Sequence, residues 1–259
     1  MGIANKDHPF RKKWGQNFLI DKNLLEKIAR TISPQYSDCF LEIGPGDGSL
    51  TDNLINLSNN LLLLEFDNDL IQPLRNKYES SNISILNADA RTYCVPDNKK
   101  YFVIGNLPYY AANIIIRNFL YQKNIQSMVF TVQKEVGEQI VAPDGKKSYL
   151  SFLIQSVAQV EKLLIIKNKE FYPVPKVDSM TVKITPLGIE KNDEYTNFVR
   201  KCFSNPRKKI TNSFSRGLEL DNEITKTIIH ESLIDENLRP QHLKLDDWQR
   251  LYEVYLNYV

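Results

Sequence analysis

Five short apolar runs, Phe40–Ile43, Leu61–Leu64, Ile83–Leu86, Tyr101–Ile104 and Met128–Val132, are bounded by turn-forming residues. Apolar on both faces, they predict parallel strands covered by helices on both sides. Segments of helical period lie between them: Ser49–Leu57, Asp69–Lys77, Asn113–Tyr121 and Lys134–Val141. This alternation predicts an α/β fold with an open, doubly wound, Rossmann-like sheet. Val160–Ile166 and Met180–Ile184 lack a crossover helix between them, so they predict a terminal antiparallel hairpin turning near Phe171–Pro175. After Pro186 the alternation stops, and Asp193–Cys202, Pro206–Arg216, Asn222–His230 and Asp246–Tyr255 all read as helices. The polar stretch after Leu187-Gly188 reads as a linker. A boundary near 188 gives an α/β domain over 1–188 with a basic N-terminal arm, and a small all-helical domain over 189–259.

With 259 residues, 42% hydrophobic and 25% charged, the chain has the balance of a soluble globular protein. No apolar run approaches the roughly 20 residues that span a bilayer, and the polar, basic start lacks the apolar core of a signal peptide. Cys39, Cys94 and Cys202 are far apart in sequence. They suggest neither a disulfide framework nor a metal site, and a monomer in the cytoplasm is the expectation. The net charge of +2 announces no partner, but its distribution does more. Arg200, Lys201, Arg207, Lys208, Lys209 and Arg216 follow one another with no acid between, and Arg11-Lys12-Lys13-Trp14 forms a second cluster. Each is either a solvated face or a contact for a phosphate-rich partner; two such clusters flanking one α/β domain favour the latter.

The first strand runs into Gly44-Pro-Gly-Asp-Gly48 and then a helix. Gly44 and Gly46 suit backbone that turns with positive φ close to a ligand, with a helix N-terminus beyond to supply N–H donors. The dinucleotide fingerprint would want a glycine where Ser49 stands, so an S-adenosylmethionine site is as open a reading. Glu42, just before the first glycine, suits a cationic amino-acid portion. Glu65 ends the second strand about 20 residues on, where a carboxylate accepts both ribose hydroxyls; otherwise it merely caps the strand. Asp89, with Ala90 beside it, follows the third strand, where an acid can accept the exocyclic amine of adenine. Glycine loop, Glu65 and Asp89 fall at the carboxyl ends of adjacent strands and form one crevice. Together they point to an adenosine-containing cofactor.

After the fourth strand comes Asn106-Leu107-Pro108-Tyr109. An exocyclic adenine amine is a poor nucleophile, because its lone pair is conjugated with the ring. Accepting its N–H groups on an amide oxygen and a backbone carbonyl turns that lone pair towards an electrophilic methyl. Asn106 offers the amide, Pro108 forces a turn that presents the Leu107 carbonyl, and Tyr109 can stack on an extruded base. No strong base is needed, and His8, His230 and His242 lie outside these motifs. Phe171, in the stiff segment Phe171–Ser179, either stacks on the other face of the base or packs within the hairpin.

The assembled chain closely resembles the bacterial small-subunit ribosomal RNA adenine dimethyltransferases over nearly its whole length. The shared segments are Gly15–Leu19, Glu42–Thr51, Glu65–Leu70, Gly105–Tyr109, Gln133–Val136, Phe171–Ser179 and the basic Arg207–Ser213. The resemblance implies S-adenosyl-L-methionine as cofactor, held by Asn17, Leu19, Gly44, Glu65, Asp89 and Asn106, with the catalytic turn at Asn106 through Tyr109. It also implies dimethylation of N6 of two adjacent adenosines in the 3′-terminal hairpin loop of 16S rRNA, within the assembling 30S subunit. The helical domain would engage that particle, with Lys12, Lys13, Arg207, Lys208 and Lys209 as candidate RNA contacts. Tyr110-Ala111-Ala112 departs from the usual Asn-Ile and a hydroxyl residue, and Arg91 stands where Leu is usual. Macrolide-resistance enzymes acting on 23S rRNA share the catalytic motifs, and a non-catalytic ribosome assembly factor could share the fold; both remain alternatives at this level.

Overall fold

The computed structural model describes residues 17–32, 39–57, 60–79, 81 and 83–259. Lys12, Lys13 and the rest of the N-terminal basic cluster lie outside the described residues. In chain order the elements begin with β1 (Phe18–Leu19), α1 (Lys22–Ala29), β2 (Cys39–Ile43), α2 (Thr51–Leu54), β3 (Leu61–Glu65), α3 (Asn68–Lys77) and β4 (Ile83–Asn87). There follow β5 (Tyr101–Asn106), α4 (Ala112–Leu120), β6 (Ile125–Gln133), α5 (Lys134–Ile140), α6 (Tyr149–Gln155), β7 (Ala158–Ile166), β8 (Phe171–Tyr172) and β9 (Ser179–Pro186). The chain ends in α7 (Asp193–Cys202), α8 (Ile210–Leu218), α9 (Asn222–Glu231) and α10 (Leu245–Tyr255). Among the described residues no helix is long and apolar enough to cross a membrane.

Seven strands form one mixed sheet in the order β4-β3-β2-β5-β6-β9-β7. The pairs from β4 to β6 are parallel, and β9 is antiparallel to both β6 and β7. The doubly wound sheet and its terminal hairpin are therefore those the apolar pattern predicted. Every residue of β2 is buried, as a central strand with cover on both sides requires, whereas β4 alternates between part-buried and exposed positions at the edge. Phe40, Leu63, Ile104 and Val129 of the sheet share one core with Leu25 and Ile28 of α1 and Leu70 and Leu74 of α3. Asp21 starts α1 by accepting the Leu24 N–H at 2.9 Å, and only the face carrying Leu25, Ile28 and Ala29 is buried.

Two differences from the sequence pattern bear on the site. The helix after the glycine loop has only four residues, Thr51–Leu54, rather than spanning Ser49–Leu57. Its aligned dipole is correspondingly short, so anion or hydroxyl binding there rests on the loop's own N–H groups. The segment near Phe171 is more than a turn: β8 pairs antiparallel with β1, Leu19 opposite Phe171 and Phe18 opposite Tyr172.

The chain divides into two compact units, residues 1–138 with 158–189, and residues 139–157 with 190–259. A single cut near 188 leaves 139–157 in the first unit, and the structure corrects that assignment. The reason is aromatic: Phe152 of α6 lies in the core of the second unit, 5.4 Å edge-on to Tyr195 and 6.2 Å from Trp248 by ring centroids. Trp248, Phe198 and Phe214 share that core.

Candidate active site

The site is built where β2, β3, β4 and β5 end. Gly44 and Gly46 have φ of +66° and +60°, and a Cβ at Gly46 would stand 2.5 Å from Cε1 of Phe18. Both demands exclude a side chain. The loop is tied down by Gly44 N–H to the Leu64 carbonyl at 2.9 Å and Gly48 N–H to that of Pro45 at 2.8 Å. Glu65 then links it to the start of α3: Oε2 accepts the Gly46 N–H at 3.1 Å and Oε1 accepts that of Asp67 at 2.8 Å. The Phe66 N–H also reaches this carboxylate, which still has acceptor capacity for a further donor. Burial pushes the Glu65 carboxyl above its ordinary range, with the backbone N–H groups of Asp67, Gly46 and Phe66 opposing it. Glu42, buried behind the loop and accepting from Thr51 Oγ1 at 2.6 Å, is pushed up by burial to about 8.

Asp89, after β4, is held differently. Arg91 Nε donates to Oδ1 and Oδ2 at 2.9 Å each, Nη2 donates to Oδ2 at 2.6 Å, and the Arg91 backbone N–H donates to Oδ1 at 2.9 Å. The Arg91 side-chain hydrogen bonds keep the Asp89 carboxyl below the usual carboxylate range. The same guanidinium lies over the ring of Phe66, Cζ 5.7 Å from its centroid.

At the end of β5, Asn106 Nδ2 donates to the Asn17 carbonyl at 2.7 Å, which leaves Oδ1 as the acceptor end of the amide. A Cβ at Gly105 would meet the Ile43 carbonyl at 2.5 Å, so β5 runs close against the end of β2 and brings Asn106 beside the glycine loop. Leu107 N–H continues the sheet to the Thr131 carbonyl at 3.0 Å. The Pro108 carbonyl accepts from Ala111 and Ala112, both at 3.0 Å, starting α4 although Ala111 supplies no side-chain cap. The Tyr109 hydroxyl is paired with Ser179 Oγ at 3.1 Å, and burial raises its pKa.

These ends enclose one cleft of about 900 Å³, open solvent included. Asn17, Gly44, Gly46, Glu65, Asp89, Ala90, Asn106, Leu107, Pro108 and Tyr109 all line it. Leu19 does not; it lines a smaller neighbouring hollow with Glu42, Gly44 and Asn106. Nor does Phe171, whose place as a base-stacking ring is corrected: it is 1% exposed within the apolar core. Strand alternation decides this, since pairing with β1 turns Phe171 inward and leaves Tyr172 exposed. The cleft also takes in Phe18, Phe66, Arg91 and Tyr110, which the sequence reading did not place in it. For Phe66 a signal was present, an aromatic residue directly after the strand-ending Glu65.

A family model described as ribosomal RNA adenine dimethylase matches residues 7–256. The chain belongs to the ribosomal RNA adenine dimethylase family. Among relatives, ribosomal RNA small subunit methyltransferase A of Alkaliphilus oremlandii is 33% identical, over 95% of this chain and 92% of that protein. The protein of the same name from Coxiella burnetii is 34% identical, over 96% and 99%. Among solved structures, a dimethyladenosine transferase from Plasmodium falciparum superposes with a TM-score of 0.81 at 24% identity, covering 93% of this chain and 98% of that one. The 23S rRNA methyltransferase ErmE superposes with a TM-score of 0.72 at 25% identity, covering 92% and 98%.

This rRNA adenine dimethylase is an S-adenosylmethionine-dependent methyltransferase acting on RNA. The cleft fits that cofactor. Its glycine cradle has no room for side chains at Gly46, and buried Glu65 has acceptor capacity left for hydroxyls. Ala88, Ala90 and Phe66 add small and aromatic side chains to its lining. When bound, S-adenosylmethionine supplies a methyl group on a sulfonium, an electrophile that needs only a correctly aimed nucleophile.

Proposed function

We propose that this enzyme dimethylates N6 of two adjacent adenosines in the 3′-terminal hairpin loop of 16S rRNA, within the assembling small subunit. Glu65 takes the ribose hydroxyls of the cofactor, Asp89 with Ala90 its adenine, and Gly44, Gly46, Asn17 and Asn106 the remainder. Asn106 Oδ1 and the Leu107 carbonyl accept the N–H groups of the target adenine, and Tyr109 stacks on its ring. The methylated amine is acidic enough to lose its proton to solvent, so no base is assigned. Among the described residues, neither His230 nor His242 lines the cleft.

The observation that carries this reading is the meeting of the Asn106–Tyr109 turn with the glycine loop and Glu65 in one cleft. The small-subunit assignment is supported by relatives of that name matching nearly end to end. The exposed Arg207, Lys208 and Lys209 suit the phosphate backbone of the particle, with Lys12 and Lys13 as further contacts. A second reading, methylation of 23S rRNA, has the resemblance to ErmE in its favour. Labelled S-adenosylmethionine, offered with undermethylated small subunits or with 23S rRNA, separates the two. Mass spectrometry is expected to find dimethyladenosine in 16S rRNA; label in 23S rRNA alone would overturn the proposal.

A further inference from the structure

We propose that Arg91 is a displaceable cover on the purine end of the cofactor cleft, and that it sets both the affinity and the base selectivity of that end. The inference rests on the reading of Asp89 as the acceptor for the cofactor's exocyclic amine.

A carboxylate has about four lone-pair positions, and Arg91 directs three N–H groups at them. Its Nε reaches both oxygens, its Nη2 reaches Oδ2 and its backbone N–H reaches Oδ1, at 2.6–2.9 Å. An incoming amine therefore competes with the guanidinium for Asp89 and gains the carboxylate fully only when the guanidinium withdraws. Withdrawal is feasible, because the pair is only partly buried, with side-chain exposures of 39% for Arg91 and 28% for Asp89. A screened pair of this kind is a weak restraint rather than a lock. The guanidinium also has somewhere to stay, over the exposed face of Phe66, which lines the same cleft.

The arrangement changes what the purine end will tolerate. Adenine presents an amine at position 6, which a bare carboxylate accepts. Hypoxanthine presents an oxygen there, which a bare carboxylate repels but a nearby guanidinium can bind. At position 6, both purines find a partner with Arg91 present; without it, only adenine does.

The test is calorimetric binding of S-adenosylhomocysteine and its deaminated analogue S-inosylhomocysteine to the full-length protein. Arg91→Leu is expected to bind S-adenosylhomocysteine about fivefold more tightly, the worth of a partly exposed ion pair. Its preference for the adenosyl over the inosyl ligand should widen by about tenfold, because the oxygen then faces an unpaired carboxylate. Arg91→Lys keeps a donor and should retain most of the parent's tolerance, which separates selectivity from any general loosening of the loop; thermal melting checks that both variants are folded. Parent-like affinities for both ligands in Arg91→Leu, or weaker binding of S-adenosylhomocysteine, would overturn the proposal. Asp89→Ala distinguishes the deeper failure: it should weaken S-adenosylhomocysteine binding, and if it does not, the reading of Asp89 falls and the proposal with it.

Discussion

Glu42 on β2 and Glu65 at the end of β3 are both buried carboxyls, yet they do different work. Glu65 is held by the backbone N–H groups of Gly46, Asp67 and Phe66 and still keeps acceptor capacity. Glu42 has one hydroxyl partner, Thr51, and is raised to about 8 chiefly by burial, with Asp47, Glu65 and Asp52 adding to the rise. A carboxyl raised in this way binds an extra proton in the native state between its unfolded value, about 4.3, and its folded one. Its contribution is therefore fully present at low pH and is lost as pH rises through about 8. Glu42→Gln keeps an oxygen for Thr51 and removes the titration. Its melting temperature should exceed the parent's by several degrees at alkaline pH and converge with it towards about pH 5. Parallel melting curves across that range would show that Glu42 is not the group responsible. The residue types at the site were legible in the sequence, because each carboxylate, glycine and amide sits at a strand end that the apolar runs already located. What they bond to was not legible. Nothing in the order Asp89-Ala90-Arg91 says that the arginine closes back on the aspartate, and nothing in Phe171 distinguishes a stacking ring from a core ring.

Elements with a clear period were readable and short ones were not. The five parallel strands fall where continuous apolar runs between turn residues put them, and the hairpin pair and α7 where their sequence pattern does. β1 and β8, two residues each, have no period at all, and only their mutual pairing defines them. α6 is apolar nearly all round, with Phe152, Leu153 and Ile154 buried, so no amphipathic stripe announces it. It starts on a reciprocal Ser148–Ser151 cap, a signal that is present in the sequence but weak beside a charged N3 partner. α2 erred in the other direction: helical spacing over Ser49–Leu57 yields a single turn, since the loop's Gly48 and the turn after Leu54 leave room for no more. The β8 strand shows why this scale matters for chemistry. Its pairing with β1 carries Phe171 out of the cleft, and that same pairing brings Asn17 and Phe18 into it.

For the molecule as a whole, the modest net charge of +2 hides a concentrated field. Arg200, Lys201, Arg207, Lys208, Lys209 and Arg216 are all exposed, and among the described residues none is paired with a carboxylate. Each phosphate contact releases counterions, so the affinity of such a surface for RNA falls steeply with salt. Neutralising Arg207, Lys208 and Lys209 together should weaken binding to small-subunit particles and reduce the slope of log affinity against log salt by about two to three. An unchanged slope in a salt titration would make the cluster a solvated face. The role of the turn at the end of β5 is tested by methyl transfer from labelled S-adenosylmethionine to undermethylated small subunits with Asn106→Ala. The expected result is a folded protein that still binds the particle but loses at least about a hundredfold in transfer, the cost of removing one preorganised partner of the reacting amine. Transfer by Asn106→Ala at the parent's rate would contradict it.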